Sequence, residues 1–163
     1  MTRYDVVTLG ETMRRLTPAN YRRLEQASAL DIEVGGTESN MAIGLARLGL
    51  KPIWLSRLTN NPMGRLIAGA LAAQGVDTSH VVWTDDDRVG VLFFEIGKAP
   101  RGSRVIYDRQ GSAVSRMRPE ELPHDLFQPD RARLFHTTGV TLALTPSLTG
   151  TAHRALHLAR TRS

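Results

Sequence analysis

The apolar positions change period several times along the chain, and each change marks an element. Residues 4–9 (YDVVTL) are a short apolar run stopped by Gly10, the pattern of a buried first strand. Residues 29–34 alternate, with Ile32 and Val34 in phase, and end at the pair Gly35-Gly36. Beyond the pair the period lengthens. Met41, Leu45 and Leu48 recur at i, i+4 and i+7, which predicts one apolar helix face, and Thr37, Ser39 and Asn40 offer capping oxygens at its start. A second apolar run at 52–58 (PIWLSRL) predicts another buried strand. Asn61-Pro62 then opens a helix, Asn as cap and Pro at the first helical position. Its inner face is predicted to hold Met63, Leu66, Ile67, Ala70 and Leu71, and Gly75 to end it.

The second half continues the alternation of elements. Residues 76–84 predict a short strand, closed by the turn-like Asp85-Asp86-Asp87. Residues 88–95 and 104–109 are β-rich runs joined by a loop with Gly97, Pro100 and Gly102, which reads as a hairpin. Period two puts Val105, Tyr107 and Arg109 on one face of its second strand. Residues 18–28 and 111–127 read as loops, the latter with helical turns near Pro119. Residues 132–138 predict a further buried strand, and 146–160 a last helix with Leu148, Ala152, Ala155, Leu156 and Ala159 inward. Strands alternating with helices imply a parallel α/β sheet.

Composition narrows the class. The 163 residues are enough for one domain with a core, 41% are hydrophobic and 23% charged, and no run is long enough to span a membrane. Thr2-Arg3-Tyr4-Asp5 does not resemble a signal-peptide start, and the lack of Cys fits a cytoplasmic location. Net charge is +5, yet the basic residues, arginine except for Lys51 and Lys98, are scattered. A nucleic-acid partner is therefore not expected, and the charge reads as solvated surface, Arg14-Arg15 included.

Candidate chemistry gathers at one junction. Two glycines between a strand and a helix allow a ligand close to the backbone, and the helix start behind them presents free N–H groups. A tight turn needs the same residues, so spacing alone leaves both readings open. Asp85-Asp86-Asp87 reads as a solvated turn, since successive side chains diverge. His153 and His157 share a helix face without a third ligand, so no metal site is expected. No Walker A, G-x-G-x-x-G or Ser-His-Asp arrangement is present.

Gly35-Gly36-x-x-x-Asn40 followed by Ala42-Ile43-Gly44-Leu45-Ala46-Arg47-Leu48-Gly49 resembles the N-terminal signature of the ribokinase-like (PfkB) carbohydrate kinases, and within them the 2-keto-3-deoxygluconate kinases. The likeness runs from about residue 4 to 145. It implies an α/β, three-layer fold with a parallel central sheet, and a small β-hairpin lid from residues of about 12–34 and 88–109 inserted in a single domain. It also implies a sugar or sugar acid as ligand, with Gly35, Gly36, Thr37 and Asn40 at its hydroxyls and Tyr107 and Arg109 of the lid at its carboxylate. Arginine suits that role because its planar fork binds a carboxylate bidentately. Thr138 and Gly139 would also border the site. Family members often carry an acidic residue beyond the first strand; here Arg15 stands nearest that position, and the keto-deoxy-gluconate branch also lacks the acid there. A second lid tyrosine of that branch is replaced by Leu92.

The resemblance further implies phosphoryl transfer from ATP, with Mg2+, to a sugar hydroxyl. The family's catalytic Asp lies in a Gly-Ala-Gly-Asp motif, and no Gly-Asp dipeptide occurs in these 163 residues; the family's Asp-x-Asn-x-Arg strand is also absent. The expectation is a C-terminally truncated kinase, ending at Arg160-Thr161-Arg162-Ser163, that binds sugar but has no catalytic residue of its own. Its partner would be a homo-oligomer mate docked through the lid, or the missing C-terminal half covering an otherwise aggregation-prone surface. The alternative is a non-catalytic sugar-binding or oligomerisation module.

Overall fold

The computed structural model describes residues 4–161. The Thr2-Arg3 start and the terminal Arg162-Ser163 lie outside the described residues. A three-stranded parallel sheet, in the order β4-β1-β9, forms the centre: β1 is Tyr4–Leu9, β4 Pro52–Leu55 and β9 Ala132–His136. The run at 52–58 breaks at Ser56 into β4 and β5 (Arg57–Thr59). β5 pairs in parallel with β6 (Val82–Thr84), and the Val82 N–H donates to the Ser56 carbonyl across the break.

Strand alternation sorts side chains into two cores. Val7, Leu9, Ile53 and Leu55 face helix α4 (Pro146–Arg160) and the 3-10 turns between Ala113 and Phe127, where Met117 and Leu126 are fully buried. On the other face Trp54 packs against α1 (Thr37–Arg47) and α2 (Pro62–Ala72) with Ala42, Ile67 and Leu71. Helices on both faces of a parallel sheet form three layers, as expected.

A second sheet of four strands, in the order β3-β2-β7-β8, stands beside the first. It is built from β2 (Met13–Pro18), β3 (Leu30–Gly35), β7 (Val91–Glu95) and β8 (Arg104–Asp108). β7 and β8 are the expected antiparallel hairpin, Leu92 opposite Tyr107.

α2 starts as its sequence predicts: the Asn61 side chain accepts from the Met63 and Gly64 N–H groups, and Gly75 adopts a φ of 84° past the helix end. Its buried face is rotated, though: Gly64, Ile67, Ala68 and Leu71 are inside, while Met63 and Leu66 are exposed. Gly64 must be glycine, since a Cβ there would lie 2.0 Å from the Thr59 carbonyl oxygen. α1 departs further. It buries Glu38, Ser39 and Ala42 and leaves Leu48 79% exposed, and its cap residue is Gly36, with no side-chain capping bond. In α4, Thr151 takes the inner place predicted for Leu156, which is exposed.

Two polar readings are also corrected. Asp87 is no solvated turn residue: its side chain is 2% exposed and sits between Arg57 (2.6 Å) and Arg116 (3.0 Å), tying β5 to the 3-10 turn Ala113–Arg116. Arg14 is buried, its Nη1 3.4 Å from the Met63 sulfur, and Arg15 pairs with Glu33.

Tyr4 and Asp77 join the start of β1 to the loop before β6 by a 2.6 Å hydrogen bond. Burial, then the hydrogen bond it donates to the Asp77 carboxylate, pushes the pKa of the Tyr4 hydroxyl from 10.0 to about 12. Burial alone would raise Asp77, but bonds from Tyr4 and Ser79 outweigh it and hold the carboxyl below its usual range. The folded chain thus keeps the Tyr4 proton more tightly than the unfolded chain. This stabilisation is whole below pH 10 and is lost as pH rises towards 12. Chemical denaturation across pH 9–12 should show that loss in the wild type and a flatter profile in Tyr4→Phe; equal slopes would refute the contribution.

Candidate functional site

The carboxyl ends of β1 and β9 and the N-termini of α1 and of the one-turn helix α3 (Gly139–Leu142) converge, the position where open parallel sheets bind ligands. Thr137 Oγ1 donates to the Leu9 carbonyl at 2.9 Å, joining the two strand ends. Glu38, buried at the second position of α1, joins the two helix starts. Its Oε1 accepts from Thr138 N–H (3.1 Å), Thr138 Oγ1 (2.6 Å) and Thr141 Oγ1 (2.7 Å). A carboxylate held by hydrogen bonds next to helix N-termini is electrostatically favoured there.

Above this junction lies a cavity of about 280 Å³. The six candidate residues Gly35, Gly36, Thr37, Asn40, Tyr107 and Arg109 all line it, the first four from the β3–α1 junction and the last two from the end of β8. Leu92 and Arg15 also line it. Thr138 contributes through Glu38 rather than at the wall, and next to Gly139 the wall is formed by Val140 and Thr141.

The two glycines act differently. A Cβ on Gly35 would meet open space. On Gly36 it would lie 2.2 Å from the Glu11 carbonyl oxygen, so Gly36 serves close packing of the β1–β2 connection on α1 as well as access to the cavity. Gly10 is similarly constrained: a Cβ would lie 2.3 Å from the Glu38 carboxyl.

Two acidic residues were not predicted for the site. Glu38 lay hidden in an apparently helical polar position. Glu11, just beyond the first strand, is 4% exposed and holds Arg109: its Oε2 accepts from Nε at 2.7 Å and also contacts Nη2. The Arg109 guanidinium lies 5.8 Å from the Tyr107 ring centroid, within cation–π range. An acidic residue within two positions of a glycine (Gly10-Glu11, Gly36-Thr37-Glu38) is the sequence signal that the two share. A neighbouring hollow of about 390 Å³ shares Tyr107 and Arg109 and involves Ser115 and Thr145 but none of the β3–α1 residues. His153 and His157 are exposed on α4. Among the described residues no three His, Asp or Glu side chains gather as a metal-ligand set, and no helix is long and apolar enough to cross a membrane.

Comparison with known proteins identifies the family and the fold. Residues 3–163 match the profile of the pfkB family carbohydrate kinases. The chain is 42% identical over 155 residues to a 2-dehydro-3-deoxygalactonokinase of Haloferax volcanii, covering 95% of this chain and 48% of that protein. It is 35% identical over 144 residues to a 2-dehydro-3-deoxygluconokinase of Bacillus subtilis, covering 88% of this chain and 44% of the relative. The crystal structure of a 2-dehydro-3-deoxygluconokinase from Thermotoga maritima superposes with a TM-score of 0.92 at 38% identity, over 98% of this chain and 48% of that one. The chain thus spans about half the length of the relatives it matches.

Gly36→Ala should cost about 1–3 kcal/mol of stability through overpacking, whereas Gly35→Ala should change it by less than about 1 kcal/mol. Urea titration of the two variants checks this; equal costs would contradict the different roles of the pair.

Proposed function

The chain belongs to the pfkB family of carbohydrate kinases, and from that premise we propose that it forms the sugar-binding half of a kinase for a sugar acid of the 2-keto-3-deoxygluconate type. One observation carries the reading: the glycine pair, Thr37 and Asn40 share a single cavity with Tyr107 and Arg109. Backbone N–H groups and short polar side chains at a helix start suit hydroxyls, while a guanidinium beside an aromatic ring suits a carboxylate. The names of the relatives, kinases of two epimeric keto-deoxy acids, support the same substrate class.

The four-stranded second sheet serves, in this reading, as a lid over the sugar, with β2, β3, β7 and β8 inserted in a single domain. ATP and Mg2+ belong to the complete kinase. The described residues do not fit them: they offer neither a gathered acidic set for the metal nor the family's Gly-Ala-Gly-Asp motif. The chain's own contribution is to bind and orient the sugar. By itself it is expected to be inactive.

A second reading, an oligomerisation module, draws support from β8, an edge strand exposed along its length with Val105 and Ile106 open to solvent. If β8 joins copies of the chain, Ile106→Lys should lower the mass seen by light scattering; an unchanged mass would end that reading.

Calorimetric titration of the chain with 2-keto-3-deoxygluconate should show binding, with no ADP released from ATP. Arg109→Ala should lower the affinity for the acid at least about tenfold, because a charge-assisted bidentate contact is lost. The neutral methyl ester should bind wild type and variant alike. Preference for the acid retained in Arg109→Ala would overturn the carboxylate assignment.

A further inference from the structure

The cavity that takes the proposed sugar acid is electrically balanced before any ligand enters. Its walls carry Arg15 and Arg109 but also Glu11 and Glu38, and Arg15 is itself paired with Glu33. The most consequential of these charges is Glu11. It is buried, and both Nε–H and Nη2 of Arg109 converge on its Oε2. Its Oε1 has no hydrogen-bond partner and lies where a Cβ on Gly90 would come within 2.7 Å. Glu11 is thus fixed by packing and only partly compensated.

A guanidinium has two forked edges. Glu11 takes the side formed by Nε and Nη2, which leaves Nη1 and the second Nη2 proton at the end of the group for another acceptor. We propose that Glu11 is a specificity-determining residue. It orients Arg109 end-on into the cavity and offsets its charge, so that the site accepts a single carboxylate at moderate strength and disfavours dianions. The proposal rests on the sugar-acid reading above.

Two effects compete, and their sizes decide the sign. Removing the Glu11 charge frees Arg109 to move, a loss of pre-organisation that weakens ligand binding by at most about tenfold. It also removes a repulsion. Carboxylates on two edges of one guanidinium stand roughly 6 Å apart, where repulsion at the screening typical near a protein surface weakens binding on the order of a hundredfold. The repulsion is larger, so Glu11 lowers the affinity for anions.

Glu11→Gln keeps the volume and one acceptor oxygen. In calorimetric titration of the full chain it should bind 2-keto-3-deoxygluconate about tenfold more tightly, with galactarate, a dianion, gaining more and the neutral methyl ester unchanged. Weaker binding of the acid, or an unchanged ratio of acid to ester, would overturn the proposal. A measurement on the wild type needs no variant to fold. The Arg109 Nε–H resonance, assigned by its loss in Arg109→Lys, should be protected from exchange without ligand and should persist when the acid is added. Its absence, or its loss on adding the acid, also overturns the proposal. A protected signal together with equal binding of acid and ester would instead refute the sugar-acid reading, and the selectivity claim with it, while the hold of Glu11 on Arg109 stands.

Discussion

The Glu38 carboxylate is the point on which the rest of the site depends. One oxygen receives three hydrogen bonds from Thr138 and Thr141, so the start of α1 is fixed against the end of β9 and the start of α3. Such a group is costly to bury unpaired and stabilising when fully bonded, which makes this arrangement specific. The other oxygen leaves no room for a side chain at Gly10, and Gly36 leaves room for the backbone of Glu11. From these contacts follow the course of the β1–β2 connection, the place of Glu11, and through Glu11 the place of Arg109 on a separate sheet. A local packing constraint thus reaches the proposed ligand across two sheets.

The same constraint explains which parts of the molecule were legible in the sequence. Elements whose signals are local came out as read. Asn61-Pro62 caps α2, Gly75 follows it at positive φ, and the runs at 88–95 and 104–109 pair as a hairpin with Leu92 opposite Tyr107. The six candidate residues met in one cavity because a strand–helix junction and a period-two strand fix where side chains emerge. The apolar stripe of α1 misled, since Met41, Leu45 and Leu48 set a rotation that the buried Glu38 overrides. Period alone cannot reveal a helix turned inward by a polar residue that meets its partners 100 positions later.

Charge was the least legible property. Arginines scattered in sequence read as solvated, yet Arg57 and Arg116 enclose a buried Asp87, Arg109 meets Glu11, and Arg14 is buried beside Met63. Their partners lie on other elements, so no spacing rule finds them. The net charge of +5 therefore does not translate into a basic cavity, whose lining charges cancel.

On the proposed reading, the sugar acid sits in the cavity between the β3–α1 junction and the end of β8. Backbone amide chemical shifts of the chain, followed during titration with 2-keto-3-deoxygluconate, test it most directly. The largest shifts should fall at Gly35, Gly36, Thr37, Asn40, Tyr107 and Arg109. Shifts confined to Gln110, Gly111, Ser115 and Thr145, around the neighbouring hollow, or no shifts at all, would contradict it.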